Sequence, residues 1–127
     1  MPKHINLKKI DATKLVKLVE HGKFLEDRKL CEKTVSKVLL EPFSRTNVDV
    51  AILSSTHLPF LLPFLKKQFP NITFVDPGKE VAQKVKKIVG RKRSKMNTMK
   101  IFTSSDPKKF QKYLAQIGIK KNVSVLC

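Results

Sequence analysis

The sequence predicts an α/β fold, a mostly parallel sheet with flanking helices. Three observations predict it. Short apolar runs bounded by turn residues recur along the chain. Stretches of helical period separate them. One run, Val48 to Leu53, is apolar at nearly every position, as a central strand covered on both faces would be. Strands that alternate with helices in this way become parallel neighbours joined by helical crossovers. The chain has 127 residues, enough to bury a core without cross-links.

The elements follow in order. Residues 4–10 roughly alternate apolar and polar, which is strand period. Asp11 or Thr13 then caps a short helix carrying Leu15, Val16, Leu18 and Val19, and Gly22 closes it. A longer helix runs from about Glu26 to Phe43, with Leu30, Val35, Val38 and Leu39 on one face and Pro42 near its end. Asn47 to Ser55 reads as a turn and then the buried strand. His57 to Phe69 opens a helix whose inward residues are Leu58, Leu61, Leu62 and Leu65. Pro59 fits its first turn, and Pro63 fits only where that turn is irregular or the helix proper begins.

Ile72 to Val75 is the next buried strand, and Asp76-Pro77-Gly78 turns into a helix from about Lys79 to Val89. That helix is expected to bury Val81, Ala82, Val85, Ile88 and Val89. Gly90 to Met99 is a basic, polar connection. Lys100 to Thr103 is a short strand, and Ser104-Ser105-Asp106-Pro107 is a helix start, a capping residue with proline just inside. The last helix buries Phe110, Tyr113, Leu114 and Ile117 and ends at Gly118; Val123 to Leu126 is a final strand.

Composition narrows the function classes. Hydrophobic residues make up 41% and charged residues 29%, a globular balance. Eight of the nine aromatic residues are Phe and none is Trp, which fits packing better than base stacking. The two cysteines, Cys31 and Cys127, form no CxxC pair and no zinc spacing, so no metal site is expected. With no signal-like leader and no apolar run of membrane-spanning length, the expected location is the cytoplasm and no membrane partner is expected.

The net charge of +17 permits a nucleic-acid or polyanion partner. The lysines are spread along the whole chain, as solubility alone would place them. One cluster is denser and carries the alternative function: Lys84, Lys87, Arg91, Lys92, Arg93 and Lys95 as a polyanion-binding surface.

Ligands of open α/β sheets bind beyond the carboxyl ends of the strands. The turn Ser54-Ser55-Thr56-His57 lies at one such end, with small hydroxyl residues where a strand becomes a helix. Free N–H groups at that helix start suit a carboxylate or phosphate, and histidine adds acid–base chemistry near neutral pH. Read without a ligand, the same hydroxyls simply cap the helix. Asp76 lies at the next strand end, and Ser104 and Ser105 at a third.

The segment Val48 to Pro63, VDVAILSSTHLPFLLP, resembles the second catalytic motif of the glutamate racemases: a hydrophobic strand, Gly-Cys-Thr-His and a Leu-rich helix. Leu15 to Gly22 (LVKLVEHG), Ile72 to Gly78 (ITFVDPG) and Phe102 to Phe110 (FTSSDPKKF) resemble three further segments of that family, in the same order. The resemblance implies the aspartate/glutamate racemase-like fold and an acidic amino acid such as glutamate as ligand. It also implies proton exchange at Cα by two cysteines, one from each of two similar domains, with no cofactor.

It covers the C-terminal half of the family pattern only, so a truncated or degenerate, inactive racemase-like domain is expected. Residues 1–90 would be the family's C-terminal-domain-like unit, 91–99 the basic connection and 100–127 a strand–helix–strand segment. Ser55 stands where the family has its catalytic cysteine, and Ser54 where it has glycine. Thr56 matches its substrate-contacting threonine, His57 the histidine beside the cysteine, and Glu20 the glutamate that helps polarise that histidine. The expected catalytic set is therefore Ser55, His57 and Glu20, and the expected substrate-binding pair is Thr56 and Ser54. Expected partners are a second copy of the chain or a separate first-half racemase chain, with nucleic acid bound weakly at most.

Binding carried only by the basic cluster falls steeply with salt. Titration with a labelled duplex should show weak, sequence-independent binding at low salt and almost none at physiological salt. A sequence-preferring complex that survives physiological salt would move the polyanion surface ahead of the strand-end turn.

Overall fold

The computed structural model describes residues 4–126. They fall into two compact units, Met1–Val85 and Lys86–Cys127.

The first unit is built on helices. α1 (Thr13–Glu20) begins where the Asp11 carboxylate accepts hydrogen bonds from the Thr13 amide at 2.9 Å and hydroxyl at 2.6 Å. These bonds hold the Asp11 carboxyl below its usual range. Gly22, at φ 68°, supplies the left-handed residue that ends α1 and starts the single turn α2 (Lys23–Glu26). α3 (Arg28–Arg45) is capped by Asp27, whose side chain accepts from the Leu30 amide.

The long helix therefore starts at Arg28, two residues after the expected Glu26, because Asp27 leaves helical geometry to cap it. It also runs on through Pro42. Proline has no N–H to return to the turn before it, yet the Thr46 hydroxyl donates to the Pro42 carbonyl at 2.6 Å and closes the end. Cys31, Val35 and Leu39 make its inward stripe, while Leu30, expected there, is exposed.

β1 (Val50–Ile52) and β2 (Thr73–Val75) pair in parallel, Val50 opposite Thr73 and Ile52 opposite Val75. Between them lie a 3₁₀ turn, Leu58–Leu61, and α4 (Leu62–Gln68). Pro59 falls in the first turn of the 3₁₀ segment, and Pro63 in the first turn of α4. Each proline sits where its missing N–H costs nothing.

The core joins α1, α3, the 3₁₀ turn and α4. Leu15, Leu18, Cys31, Val35, Leu39, Leu53, Leu58, Leu61, Phe64 and Leu65 form one buried cluster. Phe43 packs edge-on against Phe69, with ring centres 4.9 Å apart. Glu32 of α3 ties down α4 twice: its carboxylate accepts from Lys67 at 2.8 Å, and its backbone carbonyl accepts from the Gln68 side-chain Nε2 at 2.7 Å. The hydrogen bond from Lys67, reinforced by its charge, holds the Glu32 carboxyl below its usual range.

Several expectations are corrected. Residues 5–10 adopt no strand, and Ile5 and Leu7 are exposed; period alone makes no strand without a neighbour to bond. β1 is not covered on both faces, since Val50 and Ile52 are exposed and Ala51 is half-buried. α5 (Gly78–Val89) forms where expected, with Asp76 accepting from the Gly78 amide at 2.9 Å. Yet Val81, Ala82, Val85, Ile88 and Val89 are all exposed. Helical period gathers them on one face, but burial needs a second surface, which the described residues do not supply.

In the second unit β3 (Ile101–Thr103) and β4 (Val123–Val125) pair in parallel across α6 (Pro107–Gln116). Asp106 caps α6 by accepting from the Lys108 and Lys109 amides. Tyr113 and Leu114 are half-buried, whereas Phe110 and Ile117 are exposed rather than buried. The parallel pairing and flanking helices agree with the predicted fold class; the described strands form two two-stranded sheets rather than one.

Leu61 has no exposed surface. Leu61→Ala should lower the unfolding free energy by about 2–5 kcal/mol, read from the midpoint of a urea titration. A loss within about 0.5 kcal/mol, the range of ordinary surface changes, would show that this cluster is not the core.

Candidate functional site

Three buried leucines position the strand-end turn. Leu53 follows β1, is buried, and donates its amide to the Val75 carbonyl at 2.9 Å. Leu58 and Leu61 anchor the far side. The polar residues between them have no room inside and stand at the surface: Ser54 and Thr56 exposed, Ser55 and His57 half-buried.

The turn is held by its own hydroxyl. Ser55 Oγ accepts the His57 amide at 3.1 Å, the local closure that serine offers a backbone. The same oxygen lies 3.4 Å from His57 Nδ1, and Thr56 Oγ1 lies 3.5 Å from that nitrogen. No side chain caps the 3₁₀ turn that follows, where His57 takes the capping position. The hydroxyls therefore do not cap a helix. Nor does an α-helix open at the motif, because α4 starts five residues after His57.

Glu20 is the last residue of α1. The packing of α1 on the 3₁₀ turn brings Glu20 Oε1 to 3.8 Å from His57 Nε2, with the two side chains 50% and 38% exposed. The imidazole thus has a carboxylate at one nitrogen and two hydroxyls at the other.

The structure brings Ser55, Thr56, His57 and Glu20 together, with Ser54 exposed beside them. Sequence reasoning did not anticipate that both hydroxyls would face one ring nitrogen. The signal for it was the short Ser-Thr-His spacing within a tight turn. Asp76 and Asp106 are used as helix caps, and Ser105 donates its amide to the Thr103 hydroxyl. Two open depressions of about 400 and 350 Å³ lie elsewhere, one lined by Gln111, Ala115 and Lys120 among others, the other by Ile10, Val38 and Arg45 among others. Neither is lined by the turn or by Glu20, so side-chain chemistry rather than concavity identifies the site.

The alternative surface is also exposed. Lys84 and Lys87 lie on α5, and Arg91, Lys92, Arg93 and Lys95 follow it in a stretch without helix or strand. Among the described residues no group of three or more His, Cys, Asp or Glu is placed to hold a metal. No helix there is long and apolar enough to cross a membrane.

No family model matches the sequence. Individual relatives do. The glutamate racemase of Persephonella marina is 35% identical over 100 residues, which is 76% of this chain and 36% of that protein. Glutamate racemase 1 of Caldanaerobacter subterraneus subsp. tengcongensis is 38% identical over 74 residues, 58% of this chain and 27% of that protein. The crystal structure of glutamate racemase isoform RacE1 from Bacillus anthracis superposes with a TM-score of 0.76 over 98% of this chain and 47% of its own, at 24% identity. Over most of its length the chain is thus similar to part of the glutamate racemases.

Identity at that level in the solved structure speaks for the fold, and the sequence relatives carry the kinship. The chain spans about a third of the length of these curated racemases. The relatives give no support to the polyanion-binding alternative.

Cys31 is a free thiol buried in the core. Burial pushes its thiol up, and the Asp27 charge adds to this. A buried thiol is unreactive. Iodoacetamide should modify Cys31 on the order of tenfold or more slowly in the native protein than in urea, measured by peptide mass. Equal rates would place Cys31 at the surface.

Proposed function

We propose that this chain is a racemase-like domain that holds an acidic amino acid at the Ser54–His57 turn and does not itself exchange that ligand's Cα proton. The placement of His57 between Glu20 and the Ser55 and Thr56 hydroxyls carries the binding half of this reading. Hydroxyl donors and an imidazole suit a carboxylate. The relatives are glutamate racemases, which makes glutamate the first ligand to try.

The chemical half rests on Ser55. A thiol ionises near about 8.5 and can be lowered to a thiolate base. A serine hydroxyl is a far weaker acid, and removing a Cα proton demands a stronger base than His57 can make of it. Cofactor-free racemisation also needs a second acid–base group on the opposite face of the substrate. A second copy of this chain, or a separate chain carrying the rest of the racemase pattern, is the proposed source of that group.

Incubation with L- or D-glutamate in D₂O should give no Cα deuterium above a protein-free control, read by mass spectrometry. Ser55→Cys should still give none in the isolated chain. Exchange by the native chain that disappears in Ser55→Ala would overturn the inactive reading. Exchange by Ser55→Cys alone would show that the opposing group already comes from this chain or its own dimer.

A further inference from the structure

The same four side chains have a second capability that does not depend on the racemase reading. In sequence order they are a carboxylate, a serine, a threonine and a histidine, and in space three of them, Ser55, His57 and Glu20, lie in series. Ser55 Oγ is 3.4 Å from His57 Nδ1, and His57 Nε2 is 3.8 Å from Glu20 Oε1. A hydroxyl, an imidazole and a carboxylate in series is the arrangement that activates a serine, and it is recognised by geometry rather than by position in the chain. Distances somewhat beyond ideal are normal before a substrate is bound.

The backbone prepares the serine further. The His57 amide already donates to Ser55 Oγ at 3.1 Å. That bond holds the oxygen within 3.4 Å of Nδ1, the nitrogen that can take its proton. Ser55 is half-buried in an open turn, so a reagent can reach it.

We propose that Ser55 is an acyl-accepting nucleophile, with His57 as its base and Glu20 as a positioning residue for the imidazole. The substrate class is esters of small carboxylic acids with a good leaving group, because the turn is open and lines neither of the two depressions described above. Ser55 Oγ bonds to the ester carbonyl carbon while the carbonyl π pair moves to oxygen, and the hydroxyl proton passes to His57 Nδ1. Collapse re-forms the carbonyl and breaks the bond to the leaving alkoxide, which takes that proton from His57. Water then adds to the acyl-serine and gives a proton to His57. The carboxylic acid departs as His57 returns that proton to Ser55.

The test uses the full 127-residue chain with two probes, a fluorophosphonate and p-nitrophenyl acetate, and locates adducts by peptide mass. With the fluorophosphonate, an oxygen–phosphorus bond forms at serine, fluoride leaves, and the proton goes to His57. Ser55 should be labelled at least about tenfold faster than exposed Ser94, and His57→Gln should slow this by on the order of a hundredfold. Glu20→Ala should slow it as well, and Glu20→Asp should restore part of the rate. A merely structural Glu20 would not show that recovery.

His57→Gln and the Glu20 variants keep the serine, so they decide the matter even where Ser55→Ala misfolds; circular dichroism confirms their fold. Labelling of Ser55 no faster than Ser94, or a rate unchanged in folded His57→Gln, would overturn the proposal. Acetyl adducts found on lysines alone would do the same. None of these readouts involves Cα exchange, so the racemase-like reading stands or falls separately.

Discussion

Apolar contact between α1, α3 and the 3₁₀ turn is the constraint on which the rest depends. Leu15 and Leu18 of α1, Cys31 and Val35 of α3, and Leu58 and Leu61 of the turn share one buried cluster. Every polar residue of the site lies one or two positions from such an anchor. Glu20 follows Leu18, Ser55 follows Leu53, and His57 precedes Leu58. The carboxylate and the imidazole are far apart in the chain, and packing alone makes them neighbours. Their own attraction is too weak to hold two elements together. With both side chains substantially exposed, a carboxylate–imidazole contact at 3.8 Å contributes on the order of 1 kcal/mol or less.

The fold class and the closeness of Glu20 to the hydroxyl turn were legible in the sequence, and the burial around them was less so. The hydroxyl turn, its histidine and Glu20 could be read from residue types in order, because a short turn fixes its own neighbours and the family pattern supplied the distant one. Helix starts were legible where a cap was written into the chain, as at Asp106-Pro107. Asp27 was the missed cap, and it moved the start of the long helix to Arg28. Pro42 misled because it falls in the last turn, where its missing N–H interrupts a single helical bond and the helix runs on to Arg45.

Burial was the least legible quantity. Val50, Ile52 and the apolar face of α5 have the composition of interior residues, yet all are exposed. Sequence reports what a residue would prefer, and only a neighbouring surface satisfies the preference. The same reasoning explains residues 5–10. Their alternation suits a strand, but a strand is defined by the chain it bonds to.

The exposed stripe on α5 has a colloidal consequence. Val81, Val85, Ile88 and Val89 share the helix with Lys79, Lys84, Lys86 and Lys87, against the single acid Glu80. Apolar surfaces of this sort attract one another, and a chain of net charge +17 repels its copies. The repulsion is long-ranged only while salt is scarce, because the screening length shrinks to about 8 Å at physiological ionic strength. Dilute buffer should therefore keep the molecules dispersed, and added salt should draw them together. For this chain, ionic strength is a control on crowding between copies as well as a solvent condition.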